Sequence, residues 1–349
     1  MNNPGRVGLL GSGETTATGG QLFEAIAKNY TAPISACVLE TPAGFEQNST
    51  IVAARVTDYI KVRLQNYSPK IIQLPARKRG YEGGLDNPEL LWPIMAQNMI
   101  FFGPGSPSYT VRQLEGSLAW KAIEAAHESG AAIIAASAAS IALGKYALPV
   151  YEIYKVGEDP FWKPGLNFFG KYNLNISIIP HWNNEEGGAA LDTSCCFMGQ
   201  ARFAKLMQLL PSDVVIVGID EHTGLIIDFV NQRCNVTGKG AIHLMINGKE
   251  EIYGKSEHFP IQRLGAFYWP QEVSSLPAEF QAFVKKMPLQ KEFVEHVPVE
   301  IDDLVKLREI ARQQKNWPES DRIRDLLANK GWLITDTKDG PTIQNDQQK

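Results

Sequence analysis

The sequence predicts an α/β domain, built on a mainly parallel sheet with helices on both faces, followed by a small C-terminal helical hairpin. Three observations predict it. Short, wholly apolar runs alternate with helix-like segments through the first half of the chain, the pattern of βα units whose strands are buried on both faces. The run 130–136 passes at once into Ser137-Ala138-Ala139-Ser140-Ile141-Ala142-Leu143-Gly144, a strand turning sharply into a small-residue helix. Residues 300–344 instead carry Ile301, Leu304, Leu307 and Ala311 at helical spacing, then Ile323, Leu326 and Leu327, closed by Asn329-Lys330-Gly331.

Taken in order, Arg6–Leu10 is a strand feeding the loop Gly11-Ser12-Gly13-Glu14. That loop lacks the third glycine of a dinucleotide fingerprint and the Gly-Lys-Ser/Thr of a phosphate loop. A helix over 20–28, a strand over 34–39 and a helix to Leu64 follow. Next come a strand at 71–74, a helix near 88–95 and a strand at 98–102 that ends in Gly103-Pro104-Gly105-Ser106-Pro107. Residues 110–129 read as one amphipathic helix before the elbow strand. A Pro/Tyr/Trp-rich insertion over 149–172 carries Phe161, Trp162, Phe168 and Phe169, which either form a lid or pack on the domain.

Strand 176–179 then delivers Pro180-His181-Trp182-Asn183-Asn184, and a helix with Phe203, Leu206 and Met207 leads to strand 214–219, which ends in Asp220-Glu221-His222-Thr223. Residues 241–253 form a hairpin turned at Asn247-Gly248. The expected organisation is a domain over 1–264, a connector over 265–298, the helical module over 299–344 and a disordered tail over 345–349.

A chain of 349 residues accommodates one large α/β domain plus an appendage, or two ordinary domains. A net charge of −4 and 44% hydrophobic residues describe a soluble globular chain without the basic surface of a dedicated nucleic-acid binder. No basic N-terminus leads into an apolar stretch and no run approaches membrane-spanning length, so a cytoplasmic protein with no membrane partner is expected. Cys37, Cys195, Cys196 and Cys234 make neither a disulfide framework nor a C-x-x-C metal pattern; they are expected to be reduced, with no cofactor and no metal required.

Function in parallel sheets gathers beyond the C-terminal strand ends. There the elbow exposes Ser137, and its small neighbours Ala135 and Ala139 allow the tight turn a nucleophile needs. The bland alternative makes Ser137 a helix N-cap. A serine nucleophile requires a base and a group that orients the base. His181 lies just past a strand end, with His222 as second candidate. His127 falls on a surface helix, His243 in the hairpin, and His258 and His296 in less ordered segments. Asp220 and Glu221 are the candidate orienters. Backbone N–H groups of Ala138 and Gly105 are candidate oxyanion donors, Pro104 having none. Gly13, Glu14, Ser106, Trp182 and Asn183 are candidate substrate contacts.

The motifs Phe101-Phe102-Gly103-Pro104-Gly105-Ser106, Ala135-Ala136-Ser137-Ala138-Ala139, Pro180-His181-Trp182-Asn183 and Gly218-Ile219-Asp220-Glu221-His222-Thr223 together resemble the serine peptidases that include cyanophycinase and alpha-aspartyl dipeptidase. The resemblance implies a flavodoxin-like, class I glutamine-amidotransferase-like fold, and hydrolysis of a small peptide or related amide. It implies Ser137 as nucleophile, His181 as base and Glu221 as orienter. The sequence departs from that pattern in carrying alanine at both elbow glycines and Ile179-Pro180 before the histidine, so no aspartyl-arginine preference carries over. A catalytically silent binding module is the alternative; an amidotransferase-like subunit is disfavoured by serine in place of cysteine. Separately, Arg308, Ala311-Arg312, Lys315-Asn316-Trp317, Asp321 to Leu327, Gly331-Trp332 and Asp336-Thr337 resemble the C-terminal module of cysteinyl-tRNA synthetase. Through Arg308, Arg312, Lys315, Arg322 and Arg324 that module leaves RNA contact open, weakened by interleaved acidic residues. A homo-oligomer is also left open.

Overall fold

The apolar runs ahead of the elbow become five parallel strands, β1 (Val7–Leu10), β2 (Ser35–Leu39), β3 (Lys70–Leu74), β4 (Met99–Phe102) and β5 (Ala132–Ala136), paired in the order β1-β5-β4-β2-β3. Between them run α1 (Ala17–Ala27), α2 (Ser49–Arg63), α3 (Pro88–Leu91), α4 (Pro107–Leu114) and α5 (Leu118–Glu128); α6 (Ala138–Leu143) leaves the elbow. Alternate strand residues serve opposite faces. Leu9, Cys37, Ile100 and Ile133 pack with Trp120 and Ile123 of α5, whereas Val38, Phe101 and Ile134 pack with Leu22 and Phe23 of α1 and Val56 and Ile60 of α2. Burying both faces is what makes these strands uniformly apolar in sequence. Each such side chain contributes about 1.5–3 kcal/mol by leaving water.

In this computed structural model residues 3–270, 276–287, 299–337 and 340–345 are described, and the chain divides into two compact units, Met1–Glu292 and Phe293–Lys349. Past the elbow the first unit adds a ribbon of β6 (Tyr146–Ala147) and β7 (Lys163–Pro164), then β8 (Ile176–Ile179), a short turn α7 (Ser194–Phe197), α8 (Gly199–Gln208) and β9 (Val215–Ile219). There follow β10 (Thr223–Asp228), β11 (Arg233–Gly238), β12 (Ile242–Ile246), β13 (Lys249–Tyr253), β14 (His258–Pro260) and α9 (Ala278–Lys286).

β10 runs antiparallel beside β1, and β11 and β14 extend that edge to give an eight-stranded sheet. β8 and β9 pair in parallel inside a separate four-stranded sheet with β12 and β13. The strands ahead of His181 and Glu221 therefore do not share a sheet with the elbow strand, as a single parallel sheet edge would require. Residues 220–222 carry the chain from the second sheet to the first, and that crossing brings the two strand ends together.

Other local expectations are corrected by packing. The segment 110–129 is two helices: Gly116 takes φ +67, and Ser117 Oγ accepts the Trp120 N–H at 3.1 Å to start the second. α4 begins earlier than expected, at Pro107, with Ser106 as its N-cap. His127 is not on the surface. It is fully buried, its Nε2 is 2.8 Å from the Tyr172 hydroxyl, and burial, helped by the Lys171 charge, pushes its pKa down to about 3. In the insertion, Phe168 and Phe169 are core residues, and Trp162 donates its indole N–H to the Leu206 carbonyl at 2.9 Å. All four cysteines are free and buried. His258 lies in β14, and Ala278–Lys286 of the expected connector is helix α9, whose Phe280 joins the core. Asn345 pairs with Trp332 in a ribbon. Residues 271–275, 288–298 (with His296) and 346–349 lie outside the described residues.

The second unit is α10 (Val299–Gln313), α11 (Trp317–Asn329) and an antiparallel ribbon of β15 (Trp332–Thr337) and β16 (Gly340–Asn345). Ile301, Ile323, Leu327 and Trp332 form its core. Arg308, 4% exposed, donates to both carboxylate oxygens of Asp336 at 2.9 and 3.0 Å. Arg312 also pairs with Asp336, Arg322 with Glu319, and Arg324 with Asp321, so four of the five basic groups singled out for RNA are matched by carboxylates. With so small a core, Leu327→Ala is expected to destabilise this unit by about 2–4 kcal/mol. Urea unfolding of the full chain, followed by amide exchange in α10 and α11, reads it; a loss below about 1 kcal/mol would contradict the packing.

Candidate active site

At the elbow Ser137 adopts φ 52, ψ −114, a backbone conformation costly for any residue with a Cβ. Its neighbours hold it there. The Ser137 N–H donates to the Leu10 carbonyl at 3.1 Å, and Ser140 Oγ donates to the Ala135 carbonyl at 2.9 Å. Ala135 and Ala139 are buried beside the sheet, so the turn forms with a methyl at both positions. Ser137 makes no N-cap hydrogen bond to α6. Its Oγ lies instead 2.9 Å from His181 Nε2.

His181 follows Pro180 in a left-handed conformation, φ 51, that turns the chain back at the end of β8. The N–H groups of Cys196 and Cys195 bind the carbonyls of His181 and Trp182 at 3.1 and 2.8 Å, which fixes this turn. The adjacent cysteines thus serve as small buried residues. Burial pushes both thiols up, Cys195 to about 12, leaving neither a thiolate nucleophile.

His181 Nδ1 lies 3.1 Å from Glu221 Oε1. Glu221 is itself positioned: Asn184, 2% exposed, donates its Nδ2 to the same oxygen at 2.9 Å, and the Glu221 N–H donates to Asn183 Oδ1 at 2.8 Å. The His181 hydrogen bond, against burial and with help from Asn184, holds the Glu221 carboxyl down at about 2. Asp220 does not reach His181. It accepts the Ala241 N–H at 2.8 Å and lies 3.3 Å from His243 Nε2. Gly11 lets β1 approach this crossing, since a Cβ there would lie 2.1 Å from the Asp220 carbonyl oxygen.

Over most of the chain this fold is shared with a peptidase from an acI-B1 actinobacterium. The superposition covers 74% of this chain and 98% of that one, with a TM-score of 0.59 and 23% identity. The flavodoxin-like α/β architecture is thereby established. No family model matches the chain. Short stretches are similar to cysteine–tRNA ligases: 43% identity over 56 residues with that of Chlamydia felis, and 54% over 44 residues with that of Beijerinckia indica. The matched stretches span only 12% and 10% of those ligases' length.

The remaining candidates fall in varied places. His222 donates its backbone N–H to Ser12 Oγ at 2.9 Å and faces Gly13, and its Nδ1 finds no hydrogen-bond partner among the described residues. Ala138 is the first residue of α6, where an N–H has no intrahelical acceptor. Gly105 takes φ 152 against the Pro42 carbonyl, where a Cβ would lie at 1.9 Å. Ala138 and Gly105 both line the cavity at Ser137. Gly13, Glu14, Ser106, Trp182 and Asn183 do not line it. Ser106 caps α4, Trp182 stacks on His243 and meets Phe203 edge-on, and the Glu14 carbonyl underlies Gly19.

Sequence reasoning missed Asn184, Tyr151 and Tyr154. Asn184 follows directly on the histidine motif, and both tyrosines lie in the insertion, where no strand end or periodicity marks them. The Tyr151 hydroxyl donates to the Gly105 carbonyl at 3.2 Å, and burial pushes its pKa up. Among the described residues no group of three or more His, Cys, Asp or Glu side chains is arranged to hold a metal ion, and no helix is long and apolar enough to cross a membrane.

Proposed function

We propose that the protein is a serine hydrolase cleaving a peptide or related amide bond through an acyl-enzyme, in the manner of the cyanophycinase and aspartyl dipeptidase group it resembles. The observation that carries this reading is the unbroken chain of contacts Ser137 Oγ–His181 Nε2–Glu221 Oε1, 2.9 and 3.1 Å long, on a strained elbow. Ser137 Oγ attacks the scissile carbonyl while His181 Nε2 takes its proton and then passes it to the departing amine. Glu221 receives the Nδ1–H hydrogen bond, fixes the tautomer and stabilises the imidazolium. The N–H groups of Ala138 and Gly105 face the oxyanion. Water then attacks the ester, with His181 as base, and frees Ser137.

Support for an amide rather than another acyl bond comes from the sequence resemblance and from the peptidase that shares the fold. A fluorophosphonate probe tests the reading. Wild-type protein is expected to be labelled, and Ser137→Ala and His181→Ala to lose labelling; labelling that survives Ser137→Ala would remove the assignment.

A further inference from the structure

We infer that His243 is a positioning residue for the triad: as an imidazolium held between Asp220 and Glu250 and stacked on Trp182, it ties together the two turns that present His181 and Glu221. The inference rests on the hydrolase reading above. Trp182 follows His181 and Asp220 precedes Glu221, so a group that holds this pair constrains both partners of the 3.1 Å contact between His181 and Glu221.

His243 lies opposite Gly218 in the pairing of β12 with β9. Because Gly218 has no side chain, the Trp182 ring occupies the space beside it; a Cβ there would lie 2.5 Å from that ring. The ring stacks on His243 with centroids 5.4 Å apart and planes 25° from parallel, and it meets Phe203 edge-on at 5.1 Å. The Trp182 N–H donates to the Ile219 carbonyl at 3.1 Å, which ties the His181 turn to the end of β9. An indole face attracts a cation laid against it.

Both ring nitrogens of His243 face carboxylates: Nδ1 is 2.8 Å from Glu250 Oε1 and Nε2 is 3.3 Å from Asp220 Oδ1. A neutral imidazole would turn a lone pair towards one of these oxygens, whereas an imidazolium presents an N–H to each. Asp220 is 7% exposed, and its Oδ1 makes no aligned hydrogen bond among the described residues, so the imidazolium charge beside it is what compensates it. Burial opposes that charge, but the contacts with Asp220 and Glu250 outweigh it and raise the His243 pKa above its ordinary value. The Cys195 thiol, beside Trp182, is pushed up to about 12 by burial and by the Asp192 and Glu250 charges, and it stays neutral. A histidine whose pKa folding raises contributes stability that is present below about 6.5 and lost as pH rises through the folded value. Above that value Asp220 faces an uncharged ring, the two turns loosen, and the contact that orients His181 weakens.

The rate of Ser137 labelling by fluorophosphonate, followed on the full chain across neutral and alkaline pH, tests this alongside the NMR titration of His243, whose signal is the one lost in His243→Gln. Wild-type labelling is expected to fall on the alkaline side with a midpoint that matches the His243 titration. Glu250→Gln removes a carboxylate from an exposed hairpin position, and both midpoints are expected to move down together by about 0.5–1 pH unit. His243→Gln is expected to label about tenfold more slowly at neutral pH and to lack the alkaline limb. A flat wild-type profile, a limb that survives in His243→Gln, or a limb that stays in place while Glu250→Gln shifts the His243 titration overturns the inference. In each of those cases the hydrolase reading stands, provided that Ser137→Ala abolishes labelling. Absence of any Ser137-dependent labelling removes both.

Discussion

Ser137→Ala is expected to lower kcat by at least about 10⁴-fold on whichever amide the wild type cleaves, with stability unchanged to within about 0.5 kcal/mol. Alanine keeps the Cβ, so the conformation at φ 52, ψ −114 and the bonds that hold the elbow are retained. What disappears is the oxygen proposed to attack and its contact with His181. Ser137→Gly makes a companion measurement, because glycine relieves the backbone cost. It should be equally inactive yet more stable by about 1 kcal/mol in urea unfolding. Full activity in either variant would assign the chemistry elsewhere, and a less stable glycine variant would mean that the elbow is not strained.

On the proposed mechanism Glu221→Gln is expected to reduce kcat by about 10²–10⁴-fold, because the amide would not stabilise an imidazolium formed at His181. The same substitution reports through pH. The Glu221 carboxyl is held at about 2, chiefly by its hydrogen bond to His181, below the value near 4.3 of an unfolded glutamate. A depressed carboxyl contributes stability that is present above the unfolded value and is lost as pH falls towards the folded one. Wild-type stability should therefore drop between about pH 4.3 and 2 with a component that Glu221→Gln lacks. Above about pH 4.3 Glu221 stays ionised, so an acid limb of the activity profile between pH 5 and 8 is not its titration. Urea unfolding of both proteins from pH 2 to 7 decides this, and superimposable acid limbs would mean that the carboxylate is not engaged by His181.

Much of the first unit was legible because its information is local. Uniformly apolar runs report strands buried on both faces, and the five parallel strands sit where those runs predict them. The elbow was legible for a similar reason, since only small residues fit around Ser137. Elsewhere the same local signals misled. The periodicity of 110–129 continues across Gly116, so one helix was expected where a left-handed glycine separates two. His127 looked exposed because helix periodicity does not reveal that the chain from Phe168 to Tyr172 covers that face, with ring contacts to Phe168 and Tyr172.

The sequence by itself determined the residue types and their places in the chain: a serine at a strand-to-helix turn, a histidine after one later strand and an acid after another. Only the tertiary structure decided which neighbours meet. Glu221 rather than Asp220 reaches His181, and His181 rather than His222 reaches Ser137, because residues 220–222 cross from one sheet to the other. Adjacent side chains on such a crossing point in different directions, towards His181 from Glu221, the hairpin from Asp220 and the Gly13 loop from His222. That choice depends on left-handed turns at His181 and His222 and on the pairing of β8 with β9 and β10 with β1. Those are long-range contacts, and composition, spacing and periodicity register only what lies near in the chain.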